Sequence, residues 1–146
     1  MGIFIFACLT YFAPPCSEKN PKNIWDETVL HWAAMNGNYE ILTFIGDQVE
    51  DKNPSNNHSE TVLHWAAGQG DIRLIDYIAK HTSQVNHQTK YGKDTALHWA
   101  ANNGKLEACK YLVEVAKCDK EIKNGQDKTA YDAAKNWGQA VDYLKP

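Results

Sequence analysis

The chain has 146 residues, enough for one domain, and carries a net charge of −3 with 23% charged and 43% hydrophobic side chains. The charge is uneven, net −5 over residues 1–73 and net +2 over residues 74–146, a shallow gradient that argues against nucleic acid as the main partner, which would favour a basic patch or stripe. The four cysteines, Cys8, Cys16, Cys109 and Cys118, show no C-x-x-C pairing, so a reduced, intracellular protein with Cys109 as a small core residue is expected rather than a zinc or disulfide scaffold.

In chain order, residues 1–22 stand apart from the rest of the chain. Ile3 to Ala13 reads IFIFACLTYFA and is broken by Pro14 and Pro15. Eleven residues are too few to span a bilayer, and no Lys or Arg precedes Lys19 to make the basic start of a secretory signal. Three readings stand: a cap folded over the open end of the next unit, a degenerate signal or membrane-contact segment, or a truncated start. Localisation depends on that choice, cytoplasmic or nuclear for a cap, secreted or membrane-associated through residues 3–13 otherwise.

From residue 23 to 146 one phrase recurs. TVLHWAA stands at Thr28–Ala34 and Thr61–Ala67, TALHWAA at Thr95–Ala101, and a worn TAYDAA at Thr129–Ala134, at intervals of 33, 34 and 34 residues. A fixed period of this length marks stacked repeats. Each threonine suits a helix N-cap, and His31, His64, His98 or Asp132 three residues on can reach back to it as in a capping box. The alanine pair leaves a bare face for a close neighbour. Gly37, Gly70, Gly104 and Gly138 then suit a left-handed helix end.

A second apolar run comes after each glycine, Tyr39–Ile45, Ile72–Ile78, Leu106–Leu112 and Ala140–Leu144, with three- and four-residue spacings such as Ile72, Leu74, Ile75 and Ile78. Each unit is therefore predicted as a helix, a tight turn and an antiparallel helix, with a polar connector after it; the longest, Gly46–Glu60, carries Pro54. Asp71 and Lys105 begin two of the second helices, and Lys135, Asn136, Gln139, Asp142 and Lys145 read as a solvated end to the array. Phe44, Tyr77, Tyr111 and Tyr143 recur in the second helices and are expected in the core.

These units resemble ankyrin repeats, whose signature is a TPLHxAAxxG phrase and then a second helix at this period. The resemblance implies an all-α fold, an ankyrin-repeat solenoid of helix-turn-helix units joined by hairpin-like loops, over residues 23–146. Two positions depart. The proline after each threonine is Val29, Val62, Ala96 or Ala130, at a helix start where the N–H is unpaired anyway. The glycine usual two residues before the threonine is Asp26, Ser59, Lys93 or Asp127, which bears on the hairpin shape.

Nothing in the chain announces catalysis. The histidines lie one repeat apart, too far to meet around one metal ion, since ligands must sit within ~2 Å of it. No serine or cysteine sits beside them as an activated nucleophile, and no phosphate-binding glycine loop is present. Trp32, Trp65 and Trp99 read as wedges between repeats or as anchors whose edges show on the inner face.

The family resemblance implies that partners bind in a concave groove lined by connector tips and first helices. Carried over, the binding positions are the acidic row Glu27, Glu60 and Asp94, ending at Lys128, the tip residues Trp25, His58 and Tyr91, and the first-helix ends Met35, Asn36, Gln69, Asn102 and Asn103. A carboxylate row steers a basic protein or peptide. The expectation is a monomeric, non-enzymatic protein-binding adaptor, scaffold or inhibitor with no nucleic acid, metal or small-molecule cofactor. Two alternatives remain, a regulatory or substrate-docking array of a larger membrane protein or enzyme, or a delivered effector. The LHWAA variant is similar to arrays preceding the membrane part of DHHC palmitoyltransferases, but this chain has no DHHC cluster.

Overall fold

The computed structural model describes residues 20–134 and 142–145. Seven helices are delimited among them: α1 Val29–Met35, α2 Tyr39–Gly46, α3 Val62–Gln69, α4 Ile72–Ala79, α5 Ala96–Asn102, α6 Leu106–Glu114 and α7 Ala130–Ala133. Inner helices α1, α3, α5 and α7 stack side by side, outer helices α2, α4 and α6 form a second layer, and each inner helix packs on its own outer helix where that is described. No helix among the described residues is long and apolar enough to cross a membrane.

The inner helices are short because both ends are written into the repeat. Thr28, Thr61, Thr95 and Thr129 sit at the N-caps in extended conformation, each in a reciprocal capping box with the residue three on. The backbone N–H of Thr28, Thr61 and Thr95 donates to Nδ1 of His31, His64 and His98 at 3.0, 3.1 and 3.3 Å. In the fourth unit Thr129 donates to an Asp132 carboxylate oxygen at 3.1 Å, so the His-to-Asp exchange keeps the function expected of it. At the other end Gly37, Gly70 and Gly104 take φ of 66°, 79° and 65°, as their glycine identity requires.

The core is continuous through the layers. Leu30, Leu63 and Leu97 with the alanine pairs of α1, α3 and α5 are buried, and Leu42, Leu74, Ile75, Ile78, Cys109 and Leu112 meet them from the outer helices. Small side chains let inner helices approach closely, so the buried surface of one unit is completed only by the next. Outer helices begin with their own caps where the side chain permits: Asn38 accepts from the Ile41 N–H and Asp71 from the Arg73 N–H, while Lys105 supplies no side-chain cap.

The second-helix tyrosines pack against the margin of the core, whereas Phe44 does not join it. Phe44 is 65% exposed, and Tyr77, Tyr111 and Tyr143 are half-buried with their hydroxyls at the rim. Phe44 stands in the first unit at the register of Tyr77, whose ring rests on Gly46 and Asp47 of the preceding unit; residues 1–19, before the first unit, lie outside those described. The tyrosines reach back instead: Tyr77 donates to Asp47 at 2.7 Å, Tyr111 to Asp76, and Tyr143 to Glu114 at 2.8 Å. Each bond ties a unit to the one before it along the outer layer. Burial and then the adjoining carboxylate raise all three phenols, Tyr111 and Tyr143 to about 12.

Gly138, Ala140, residues 135, 136 and 139, and segment 1–19 with Cys8 and Cys16 lie outside the described residues. Cys109 and Cys118 are buried free thiols pushed up to about 12 by burial.

Candidate functional site

Four loops, here called fingers, precede the inner helices and form one edge of the molecule. In the first, second and fourth, an asparagine organises the turn: Asn23 Oδ1 accepts from the N–H groups of Trp25 and Glu27, Asn56 Oδ1 from His58 and Glu60, and Asn124 Oδ1 from Gln126 and Lys128. The third finger is one residue longer. Thr89 replaces the asparagine, accepting from the Asp94 N–H at 3.1 Å, and Tyr91 is lifted to the tip at 74% exposure.

The residue two before each threonine is left-handed in all four fingers, with φ of 60° at Asp26, 58° at Ser59, 50° at Lys93 and 59° at Asp127. The hairpin therefore keeps the backbone path that glycine would allow freely, at a steric cost each β-carbon must bear.

The fingers are joined into a row. Asn57 N–H donates to the Trp25 carbonyl at 3.0 Å, Lys90 N–H to the His58 carbonyl at 2.8 Å and Gly125 N–H to the Gly92 carbonyl at 2.7 Å. Below the tips, Nε2 of His31, His64 and His98 lies 3.1, 3.0 and 3.0 Å from the carbonyls of Glu60, Asp94 and Lys128 in the following finger. With Nδ1 taken by the threonine N–H, Nε2 carries the proton and donates, so each imidazole is a strut between repeats. Burial lowers His31 and lowers His64 to about 4, with His87 and His98 adding to the effect at His64 and the bond to the Asp94 carbonyl opposing it. No group of three or more potential metal ligands occurs among the described residues.

The acidic row is present and held. Glu27 and Glu60 are half-buried, each accepting from the amide of its own finger's asparagine at 2.9 Å, Asn23 and Asn56. Asp94 is also half-buried but accepts from Asn124 of the next finger at 2.7 Å. The tryptophans are half-buried, and Trp65 meets Trp99 edge to face at 5.4 Å, wedged between those two repeats.

Between fingers three and four and the inner helices lies a recess of about 700 Å³, lined by Tyr91, Asp94, Trp99, Asn102, Asn103 and Lys128 among others. It brings together four residues expected from the sequence, Tyr91, Asp94, Asn102 and Asn103. Glu27, Trp25, His58 and Glu60 stand on the first two fingers, and Met35, Asn36 and Gln69 at the ends of α1 and α3, outside this recess. Asn36 and Asn103 donate their amides to the Trp32 and Trp99 carbonyls at 2.8 Å, closing the ends of their own helices. Sequence reasoning missed Gln126 in the recess and the structural asparagines; the recurring N-x-x-x-[E/K]-T of residues 23–28, 56–61 and 124–129 was the available signal.

The family model described as "Ankyrin repeats (3 copies)" matches residues 5–89 and 63–145. The chain belongs to the ankyrin-repeat family. Ankyrin repeats are in general protein-interaction modules without catalytic machinery. The match begins inside the segment read from sequence as non-repeat; there Asn20 Oδ1 accepts from the Leu30 N–H at 3.4 Å as Asn53 Oδ1 does from Leu63 at 2.8 Å. No curated protein matches the chain.

Proposed function

We propose that this ankyrin array is a non-enzymatic protein-binding module, an adaptor, scaffold or inhibitor that takes a basic protein or peptide in its concave groove. It acts as a monomer, without nucleic acid or cofactor, and cytoplasm or nucleus is the compartment the reading fits. The observation that carries the reading is the row of fingers tied by backbone hydrogen bonds, which holds Trp25, His58 and Tyr91 at the edge with Glu27, Glu60 and Asp94 behind them. A surface held in place before binding loses little freedom on association, and aromatic side chains are frequent anchors in interfaces.

Replacing Glu27, Glu60 and Asp94 together with lysine is expected to weaken capture of basic partners while leaving the helical circular dichroism unchanged. Affinity capture with mass spectrometry, comparing wild type with the triple variant, reads the difference. The same proteins at the same yield from both would remove the acidic row from the binding surface.

A further inference from the structure

We infer that the groove is directional: it takes an extended protein segment whose basic part lies over the first two fingers and whose apolar and then acidic part lies over the third and fourth. This rests on the protein-binding reading above and narrows its basic partner to one whose basic end meets Glu27 and Glu60, Asp94 being taken by the Asn124 amide.

Three observations converge. The first is charge. Fingers one and two carry Asp26, Glu27 and Glu60 against Lys22, whereas fingers three and four carry Lys90, Lys93, Lys123 and Lys128 against Asp94 and Asp127. Within the second pair, Lys123 is spent on Asp127 at 3.1 Å, and Asp94 accepts from Asn124 at 2.7 Å. Among the described residues Lys90, Lys93 and Lys128 enter no ion pair. A uniformly basic segment would meet like charge over the last two fingers, and a uniformly acidic one over the first two; such juxtapositions are penalised, and register is fixed by avoiding them.

The second is the extra residue of the third finger. It lifts Tyr91 clear of the surface, with His58 of the preceding finger edge-on at 5.6 Å and Lys90 Nζ 5.5 Å from the ring centroid. An exposed aromatic held on both sides is a surface anchor for an apolar side chain, and a neighbouring ammonium favours a carboxylate beyond it. Trp25 at 42% and Ile24 at 84% exposure offer an apolar contact at the opposite end.

The third is the recess beside Tyr91. Its walls combine the Trp99 ring with Asn103, Gln126, a single lysine, Lys128, and two carboxylates already taken by the protein, Asp94 by the Asn124 amide and Asp132 by the Thr129 N–H, a lining that can take a side chain and bond the peptide links around it.

The test uses a displayed library of random dodecamer peptides selected on the full chain, with synthesis of the winners. Selected peptides are expected to carry Lys or Arg at one end, an aromatic or aliphatic residue in the middle and Asp or Glu at the other. Lys90→Glu with Lys93→Glu, and separately Tyr91→Ala, should each weaken them about tenfold or more, and Glu27→Lys with Glu60→Lys likewise. A nitroxide on the acidic end should broaden the amide signals of Gly92 and Gly125, and one on the basic end those of Asn57 and His58. Peptides that are basic throughout, weakened by Glu27→Lys with Glu60→Lys but untouched by Lys90→Glu with Lys93→Glu, would overturn the direction and leave the protein-binding reading standing. Selection of no peptide, or of peptides indifferent to every one of these changes, would overturn both.

Discussion

His64 donates through Nε2 to the backbone carbonyl of Asp94 at 3.0 Å, while its Nδ1 accepts from the Thr61 N–H at 3.1 Å. One imidazole thus starts its own helix and fastens the following finger, thirty residues on. Both bonds require the neutral ring with its proton on Nε2. A second proton on Nδ1 would set two donors face to face at the helix start.

Stability should therefore fall with pH through the histidine range. His64 is held at about 4 in the fold against 6.5 in an open chain, so between those values the unfolded chain binds the extra proton and stability declines as pH drops. Its contribution is intact above pH 6.5, and His64 alone should cost about 2 kcal/mol between pH 7.5 and pH 5. His31, lowered in the same direction by burial, adds to the slope. Urea unfolding of the wild type and of His64→Gln, which keeps a capping side chain that does not titrate, measures the effect. Parallel pH profiles for the two proteins would show that His64 is not the responsive group.

The left-handed finger residues predict stabilisation by glycine. Lys93 at φ 50° and Ser59 at φ 58° carry β-carbons in a region that costs roughly 1–2 kcal/mol, offset in part by the greater freedom glycine has when unfolded. Lys93→Gly and Ser59→Gly should each raise stability by about 0.5–1 kcal/mol. Asp26→Gly and Asp127→Gly should gain less, because aspartate tolerates this region better. Chemical denaturation of the four single variants ranks them, and a loss of stability in Lys93→Gly contradicts the account.

The outer ladder predicts coupling between repeats. Tyr77→Phe removes the donor to Asp47 and should cost about 0.5–1 kcal/mol, with Asp47→Ala costing no more once Tyr77 is already phenylalanine. The double-mutant cycle isolates the pair. Gly46 gives a steric counterpart: a β-carbon there would sit 2.6 Å from the Tyr77 hydroxyl oxygen, so Gly46→Ala should displace that ring and reduce the coupling toward zero.

Ala67 is fully buried in α3, which packs on both α1 and α5. Ala67→Leu should destabilise the domain by ~1–3 kcal/mol through overpacking. Unchanged thermal unfolding would mean that the alanine face tolerates a larger neighbour and that close helix approach is not needed there.

Much of this arrangement was legible in the residues. The threonine caps, the His or Asp three positions later and the glycine ends all act within one turn of their own helix, so their spacing in the chain is their spacing in space. Tyr91, Asp94, Asn102 and Asn103 were singled out by carrying over the ankyrin pattern position by position, and all four line the recess between the last two fingers. Phe44 was read as core by its recurrence with the outer tyrosines, whose rings rest on a preceding unit, but it is exposed in the first unit, before which residues 1–19 lie outside those described. The outer tyrosines were read as core, and their rings do pack against it, but their hydroxyls reach carboxylates of the preceding unit at the rim.

What the sequence by itself determined is the repeating unit: helix starts, helix ends, the alanine face and the period at which they return. What only the tertiary structure decided is how one unit grips the next. The Asp94 carbonyl that receives His64, the Asn124 amide that takes the Asp94 carboxylate and the extra residue that lifts Tyr91 beside His58 all join groups about 30 residues apart. Local bonds are set by the backbone geometry of a single helix, whereas these depend on the offset at which buried alanine faces come to rest against each other.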